Sequence, residues 1–226
     1  DFKIKVMLNN SNIFYKKKIL IYGLGRSGLS ALKFLTVNNK ITTYDDKIKT
    51  KNNKIIKQKF DYIIISPGID INKCTLSKFL KNNSKKIYTD LDVFYNCHKK
   101  NYKITITGTN GKSTTAKILY EVLKDQKVDV RLVGNIGNPV LLEEKITNKT
   151  VFVIEASSYQ LEYSKLFKSN ISIILNISPD HLERHNTINK YVSAKFKLVK
   201  NQSKVDLAIL NTKNFYIKRQ IKSKIY

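Results

Sequence analysis

The sequence runs to 226 residues with 42% hydrophobic content, enough to build buried cores, which excludes a wholly disordered chain and allows one or two domains. No apolar run approaches the roughly 18 residues of a membrane span, Asp1-Phe2-Lys3-Ile4-Lys5 has no apolar signal core, and Cys74 and Cys97 have neither disulfide-framework nor metal-site spacing, so a reducing cytoplasm is expected. The formal charge of +25 comes almost wholly from scattered lysines, with Arg26, Arg131, Arg184 and Arg219 the arginines, a global bias that argues for diffuse attraction to polyanions and against a specific nucleic-acid or membrane partner.

After a polar leader, Lys18 to Tyr22 reads as a strand running into Gly23-Leu24-Gly25-Arg26-Ser27-Gly28, and a helix follows with Leu29, Leu32, Phe34 and Leu35. Ile41 to Tyr44 is a second strand ending at Asp45-Asp46. Strand, G-x-G-x-x-G turn and helix, with an acid 17 positions beyond the last glycine, make a dinucleotide-binding fingerprint in its proper setting. Read alone, it suggests an NAD(P)-dependent oxidoreductase. Lys47 to Lys59 is loop or weak helix, Tyr62 to Ile65 a strand stopped by Ser66-Pro67-Gly68-Ile69, Thr75 to Leu80 a short helix and Lys86 to Tyr88 a strand. The alternation predicts a parallel sheet covered on both faces. An amphipathic Asp90 to Asn96 then leads to a polar boundary at Cys97 to Asn101.

A second unit opens with the strand Tyr102 to Thr107, the turn Gly108-Thr109-Asn110-Gly111 and a helix from Lys112 to about Gln126. Backbone N–H groups at a helix start, the Lys112 charge and the Ser113 hydroxyl are the parts of a phosphate cradle with a Mg²⁺ ligand. The spacing departs from the usual P-loop, because only Thr109 and Asn110 separate Gly108 from Gly111. Strands Val128 to Val133, Thr150 to Ile154 and Ile171 to Leu175 follow. Ligands of open α/β sheets sit off the carboxyl ends of strands, and Lys112, Asn135, Glu155, Asn176 and His181 all fall at such ends.

The helix Ile188 to Lys200 has an apolar stripe of Ile188, Tyr191, Val192 and Val199 that contains Lys195. A lysine there must snorkel, pair with an acid or lose its charge; spacing alone favours snorkelling. Glu155, facing a nucleotide turn, suits Mg²⁺ ligation. His98 and His185 carry no functional signal, Tyr159 and Leu161 read as core, and Ser157-Ser158 lacks a nucleophile elbow. A final strand is expected over Val205 to Leu210.

Taken together, these pieces resemble the Mur ligase family: Gly23-Leu24-Gly25 with Ser27 to Ser30, Ser66 to Ile69, Gly108 to Thr114, Gly134 to Gly137, Glu155 with Ser157 to Glu162, Asn176 to His181, and Tyr191 to Lys195. Ser-Pro-Gly-Ile and the glutamate, Ser-Ser, Gln-Leu-Glu run point to the branch that adds D-glutamate to UDP-N-acetylmuramoyl-L-alanine in peptidoglycan precursor synthesis. The resemblance implies a Rossmann-like N-terminal domain (1–98) followed by a truncated P-loop-type ATP-binding α/β domain (99–226), with a C-terminal domain absent. It implies that Gly25, Arg26, Ser27, Asp45, Asp46, Lys47, Ser66, Gly68, Asn135 and His181 contact the UDP-sugar. Gly108, Thr109, Asn110, Gly111, Lys112, Ser113 and Thr114 would hold ATP. Ser113, Glu155, His181 and Lys195 as a carbamate would hold Mg²⁺, with Lys112, His181 and Lys195 catalytic. Relatives often show Asp-Thr-Arg where this chain has Asp45-Asp46-Lys47. It further implies a monomer at full length, with this chain inactive alone and D-glutamate held outside it.

Overall fold

The computed structural model describes residues 12–48, 52–211 and 224–225. Residues 1–11 of the polar leader and 49–51 of the Lys47 to Lys59 stretch lie outside them. Two all-parallel sheets result. The first has four strands, β1 (Lys18–Tyr22), β2 (Lys40–Tyr44), β3 (Tyr62–Ile65) and β4 (Ile87–Tyr88), in the order β2-β1-β3-β4. The second has six: β5 (Tyr102–Thr107), β6 (Val130–Gly134), β7 (Val151–Glu155), β8 (Ile171–Ile174), β9 (Leu207–Leu210) and β10 (Lys224–Ile225), in the order β10-β9-β8-β5-β7-β6.

Period-two alternation explains how the strands feed two faces at once. Ile19 and Ile21 of β1 face a core that includes Phe34 and Leu35 of α1 (Arg26–Leu35) and Leu91 and Phe94 of α4 (Asp90–Cys97). Leu20 and Tyr22 face the other side, with Ile55 of α2 (Asn52–Ile56) and Leu80 of α3 (Ser77–Asn82). In the second sheet Phe152 and Ile154 join the same core as α4, whereas Ile106 and Val153 pack under Ala116 of α5 (Lys112–Asp125). The remaining helices are α6 (Ser158–Glu162), α7 (Leu182–His185) and α8 (Ile188–Lys200). Tyr191, Val192, Phe196 and Val199 of α8 cover Ile174, Ala208 and Leu210.

One core therefore runs across the seam between the sheets. Phe94 meets Phe152 edge to face at 4.8 Å. Beside them the fully buried Asp92 spans the seam: one carboxylate oxygen accepts from the Ser164 hydroxyl at 2.8 Å and from the backbone N–H groups of Lys165, Leu166 and Phe167 at 2.9, 2.8 and 3.0 Å. The other accepts from the Thr89 N–H, closing a capping box at the start of α4.

The predicted strands and long helices form, with shifts at their ends. The helix expected from Thr75 starts at Ser77, and the strand expected from Lys86 shrinks to two residues because Ser84–Lys86 closes a 3-10 turn. The strand expected from Val205 starts at Leu207, leaving Val205 exposed. The short helices α6 and α7 and the strand β10 are additions to the sequence reading. No helix among the described residues is long and apolar enough to cross a membrane.

Candidate nucleotide-binding site

Both sheets end at one cleft of about 770 Å³. Its first wall is the glycine turn after β1, the Asp45 to Ile48 stretch after β2 and Ser66 to Ile69 after β3. Its second wall is Gly134 and Asn135 after β6 and Ser157, Tyr159 and Gln160 at the start of α6. Nine residues predicted to contact the nucleotide-sugar line it: Gly25, Arg26, Ser27, Asp45, Asp46, Lys47, Ser66, Gly68 and Asn135. His181 is not in the lining.

The first turn is held by its own neighbours. A Cβ on Gly28 would fall on the Gly23 carbonyl oxygen and against the Ser66 hydroxyl, so only glycine permits this approach of α1 to β1. The Ser66 hydroxyl donates to the Gly23 carbonyl at 2.6 Å. Asp45 accepts from the Leu24 N–H at 2.6 Å and from the Lys47 N–H at 2.9 Å, bonds that hold its carboxyl below the usual carboxylate range. Asp46 accepts from the Tyr22 hydroxyl at 2.6 Å. Arg26 reaches across the cleft to donate to the Gly137 carbonyl. Behind the turn, burial raises the Asp90 carboxyl to about 6, against a hydrogen bond from Ser27.

The second turn is built differently. Gly111 caps α5 in the left-handed region (φ +81°). Asn176, just past β8, braces the loop twice: its side-chain oxygen accepts from the Asn110 N–H at 2.9 Å, and its backbone carbonyl from the Thr109 N–H at 3.0 Å. The Thr109 hydroxyl lies 3.0 Å from that of Tyr191. Lys112 Nζ donates to the Thr109 carbonyl at 2.8 Å. Register sets Glu155 opposite Ile106 of β5 and Gly134 of β6. One oxygen of the buried Glu155 carboxylate accepts from the Asn135 side-chain amide at 2.8 Å; the other, Oε2, has no partner, and neither does the buried Thr107 hydroxyl.

Lys195 does not snorkel. Only 1% of it is exposed; its ammonium donates to the Gly108 carbonyl at 2.7 Å and lies 4.6 Å from the Tyr191 ring centroid. Burial, with Lys112 nearby, lowers its pKa to about 7. His181 sits in the left-handed region (φ 52°), half-exposed, with Asp180 Oδ2 at 3.4 Å and Glu183 Oε1 at 3.6 Å. Ser113 and Thr114 border a second groove, on the exposed side of α5 with Ile118 and Val122. Among the described residues no three of His, Cys, Asp and Glu cluster as a metal site; the unpartnered Glu155 Oε2 is the feature that fits a hard cation, because an unmatched buried carboxylate oxygen is costly and oxygen donors suit Mg²⁺.

Sequence reasoning placed Asn135 at the cleft but missed the rest of the second wall. Tyr159, read as core, lines the cleft, although Leu161 is core as expected. Ser157 and Gln160 form a reciprocal capping box, so the Ser-x-x-Gln spacing was the available signal that a helix starts there.

The fold is that of an α/β protein of P-loop type. The family description "Mur ligase middle domain" matches residues 106–225, more than half of the chain, and the chain belongs to the Mur ligase family. A UDP-N-acetylmuramoylalanine--D-glutamate ligase of Rickettsia bellii is 36% identical over 218 residues, covering 90% of this chain and 48% of that protein. One from Clostridioides difficile is 37% identical over 216 residues, covering 86% and 48%. The chain thus spans about half the length of the curated relatives it matches. Among solved structures, a UDP-N-acetylmuramate:L-alanyl-gamma-D-glutamyl-meso-diaminopimelate ligase from Neisseria meningitides superposes with a TM-score of 0.57 at 14% identity, covering 93% of this chain and 77% of that one, a likeness of fold.

Proposed function

We propose that this chain is the nucleotide-binding part of an ATP-dependent ligase that joins D-glutamate to UDP-N-acetylmuramoyl-L-alanine in peptidoglycan precursor synthesis. The observation that carries the reading is the meeting of two parallel sheets at one cleft, beside a phosphate turn whose buried Glu155 carboxylate has one oxygen without a protein partner. The names of the relatives supply the substrates. Residues 1–98 form the UDP-sugar unit and 99–226 the ATP unit.

In this reading Gly25, Arg26, Ser27, Ser66 and Gly68 receive the UDP moiety, with Asp45, Asp46 and Lys47 at its edge and Asn135 toward the sugar. ATP lies on Gly108 to Thr114, its phosphates on the N–H groups at the start of α5 and its charge met by Lys112. The alanyl carboxylate attacks the γ-phosphorus, ADP leaves, and an acyl phosphate results. The amine of D-glutamate then attacks the acyl carbon, losing a proton, and phosphate leaves as the amide forms. Ser113, Glu155, His181 and Lys195 are the residues that would hold Mg²⁺, which supplies neutralisation of phosphoryl charge. Lys195, enclosed between a carbonyl and an aromatic ring, is the amine placed to take up CO₂ as a carbamate with release of a proton.

The oxidoreductase reading rests on the first glycine turn alone and gives no role to the second turn, to the unpartnered Glu155 oxygen or to the enclosed Lys195. Since the chain spans half of its relatives' length, these 226 residues are expected to bind nucleotides without completing ligation; D-glutamate-dependent ADP release from the chain alone would contradict that. The direct test is Mg·ATP binding. Saturable binding that Lys112→Ala weakens at least tenfold supports the reading, and binding indifferent to that change overturns it. For Lys195, a carbamate carbon signal from ¹³C-bicarbonate that disappears in Lys195→Ala is expected; its absence from the parent chain would remove the carbamate.

A further inference from the structure

The cleft has two walls on two sheets, so its width depends on what ties them together. Arg184, the third residue of α7, lies between them with its side chain only 8% exposed. Its Nε and Nη2 hold Glu162 Oε2, at the end of α6, at 2.9 and 2.8 Å. Nη2 also donates to the Ile69 carbonyl, on the opposite wall, at 2.6 Å, and to the Tyr163 hydroxyl at 3.4 Å. The guanidinium lies over the rings of Tyr159 and Tyr163, 5.3 and 5.6 Å from their centroids. Both ends of this tie reach the cleft within a few residues. Ile69 closes a turn onto the Ser66 carbonyl, and the Ser66 hydroxyl grips the Gly23 carbonyl; Glu162 ends the helix that presents Tyr159 and Gln160. Two lesser contacts run alongside: the Ile71 N–H donates to the Tyr163 hydroxyl at 3.3 Å, and Lys73 Nζ to the Glu183 carbonyl at 2.7 Å.

A planar guanidinium can serve a carboxylate and a carbonyl at once while stacking on aromatic rings; a lysine ammonium cannot hold that geometry. Burial raises the Glu162 carboxyl, and Arg184 opposes that rise, so the two groups depend on each other.

We propose that Arg184 is a positioning residue: by joining Glu162 to the Ile69 carbonyl it fixes the spacing between the two walls and thereby the affinity of the cleft for the nucleotide-sugar, without contacting it. The affinity part rests on the function proposed above; the spacing part does not.

The test uses the 226-residue chain with Cys74→Ala and Cys97→Ala, spin-labelled at Lys57→Cys and Lys124→Cys, which are exposed on the first and second units. The parent is expected to give one narrow label-to-label distance, and Arg184→Met to broaden or shift it. Arg184→Met and Arg184→Lys are expected to weaken UDP-N-acetylmuramoyl-L-alanine at least tenfold while leaving Mg·ATP binding within twofold. Should Arg184→Met not fold, Glu162→Gln, which keeps the guanidinium and its bond to Ile69, is expected to give a smaller loss of the same kind. An unchanged distance with UDP-sugar affinity within twofold of the parent overturns the proposal, as do equal losses for both ligands, which mean general destabilisation. A parent that binds Mg·ATP but no UDP-sugar refutes the assignment of the cleft, and the distance distribution alone then decides whether Arg184 sets the spacing.

Discussion

The two glycine turns open helices from parallel strands in the same way, yet their polar groups are treated differently. Around the first, the polar side chains are matched from within: Asp45 by two backbone N–H groups, Asp46 by Tyr22, Ser66 by Gly23. Around the second, a buried carboxylate oxygen and a buried hydroxyl lack partners, and a lysine amine is enclosed in the core. A satisfied turn gives a preformed shape that binds; an unsatisfied one stores a demand that a charged ligand can meet. We propose that this difference places recognition at the first turn and chemistry at the second.

The largest effects should separate the turns by what their glycines do. Gly28→Ala places a methyl on a backbone oxygen and should cost about 3 kcal/mol or more. Gly111→Ala has room, its nearest foreign atom 3.6 Å away, and pays only for a left-handed backbone, roughly 1–2 kcal/mol. Urea denaturation of both measures the gap, and equal losses would break the comparison.

Next in size is Asp90, the costly exception behind the first turn. Its folded pKa, about 6, lies above the unfolded 3.8, so its favourable contribution is complete below 3.8 and is lost as pH rises through 6. Asp90→Asn should therefore stabilise the chain by about 3 kcal/mol at pH 8 and by well under ~1 kcal/mol at pH 4; a pH-independent effect would contradict the burial account.

Swapping acids sharpens the contrast. Asp45→Asn, which weakens two satisfied bonds at a half-buried site, should destabilise by about 1 kcal/mol. Glu155→Gln, which removes an unmatched buried charge, should be neutral or stabilising by up to about 1 kcal/mol while the Mg²⁺ dependence of ATP binding falls. Thermal melts with and without Mg·ATP distinguish these outcomes, and a destabilised Glu155→Gln would argue that the carboxylate is structural.

The smallest effect is spectroscopic. Burial lowers His98 and His185 to about 4, so their imidazole resonances should titrate near pH 4. Their stabilising contribution is present above 6.5 and lost as pH falls through 4, opposite in sign to that of Asp90. Midpoints near 6.5 would show that both rings are reached by water.

Much of this was legible in the sequence because it is local. Strand periodicity, the glycine turns and the strand-end positions of Asn135, Glu155 and Asn176 depend on neighbours within a few residues. What was illegible depends on residues far apart. Asp92 lies inside the amphipathic Asp90 to Asn96 segment, and its grip on the N–H groups of residues 165–167 exists only after the sheets meet. Arg184 reads as one of a few scattered arginines until Ile69 arrives beside it. Two buried lysines make the same point. Lys195 drew notice because it interrupts a helical stripe, whereas Lys103, as deeply buried and lowered to about 8 by that burial, sits at the start of β5, where alternation tolerates a polar residue. Spacing alone favours snorkelling for Lys195, whereas the family resemblance makes it functional; Tyr191 and the Gly108 carbonyl enclose it.

Calorimetric titration of the chain with UDP-N-acetylmuramoyl-L-alanine and, in parallel, with NADH tests the assignment of recognition to the first turn most directly. Saturable binding of the UDP-sugar and none of NADH is the predicted result. Binding of NADH without the UDP-sugar would contradict the ligase reading and return the first turn to a dinucleotide.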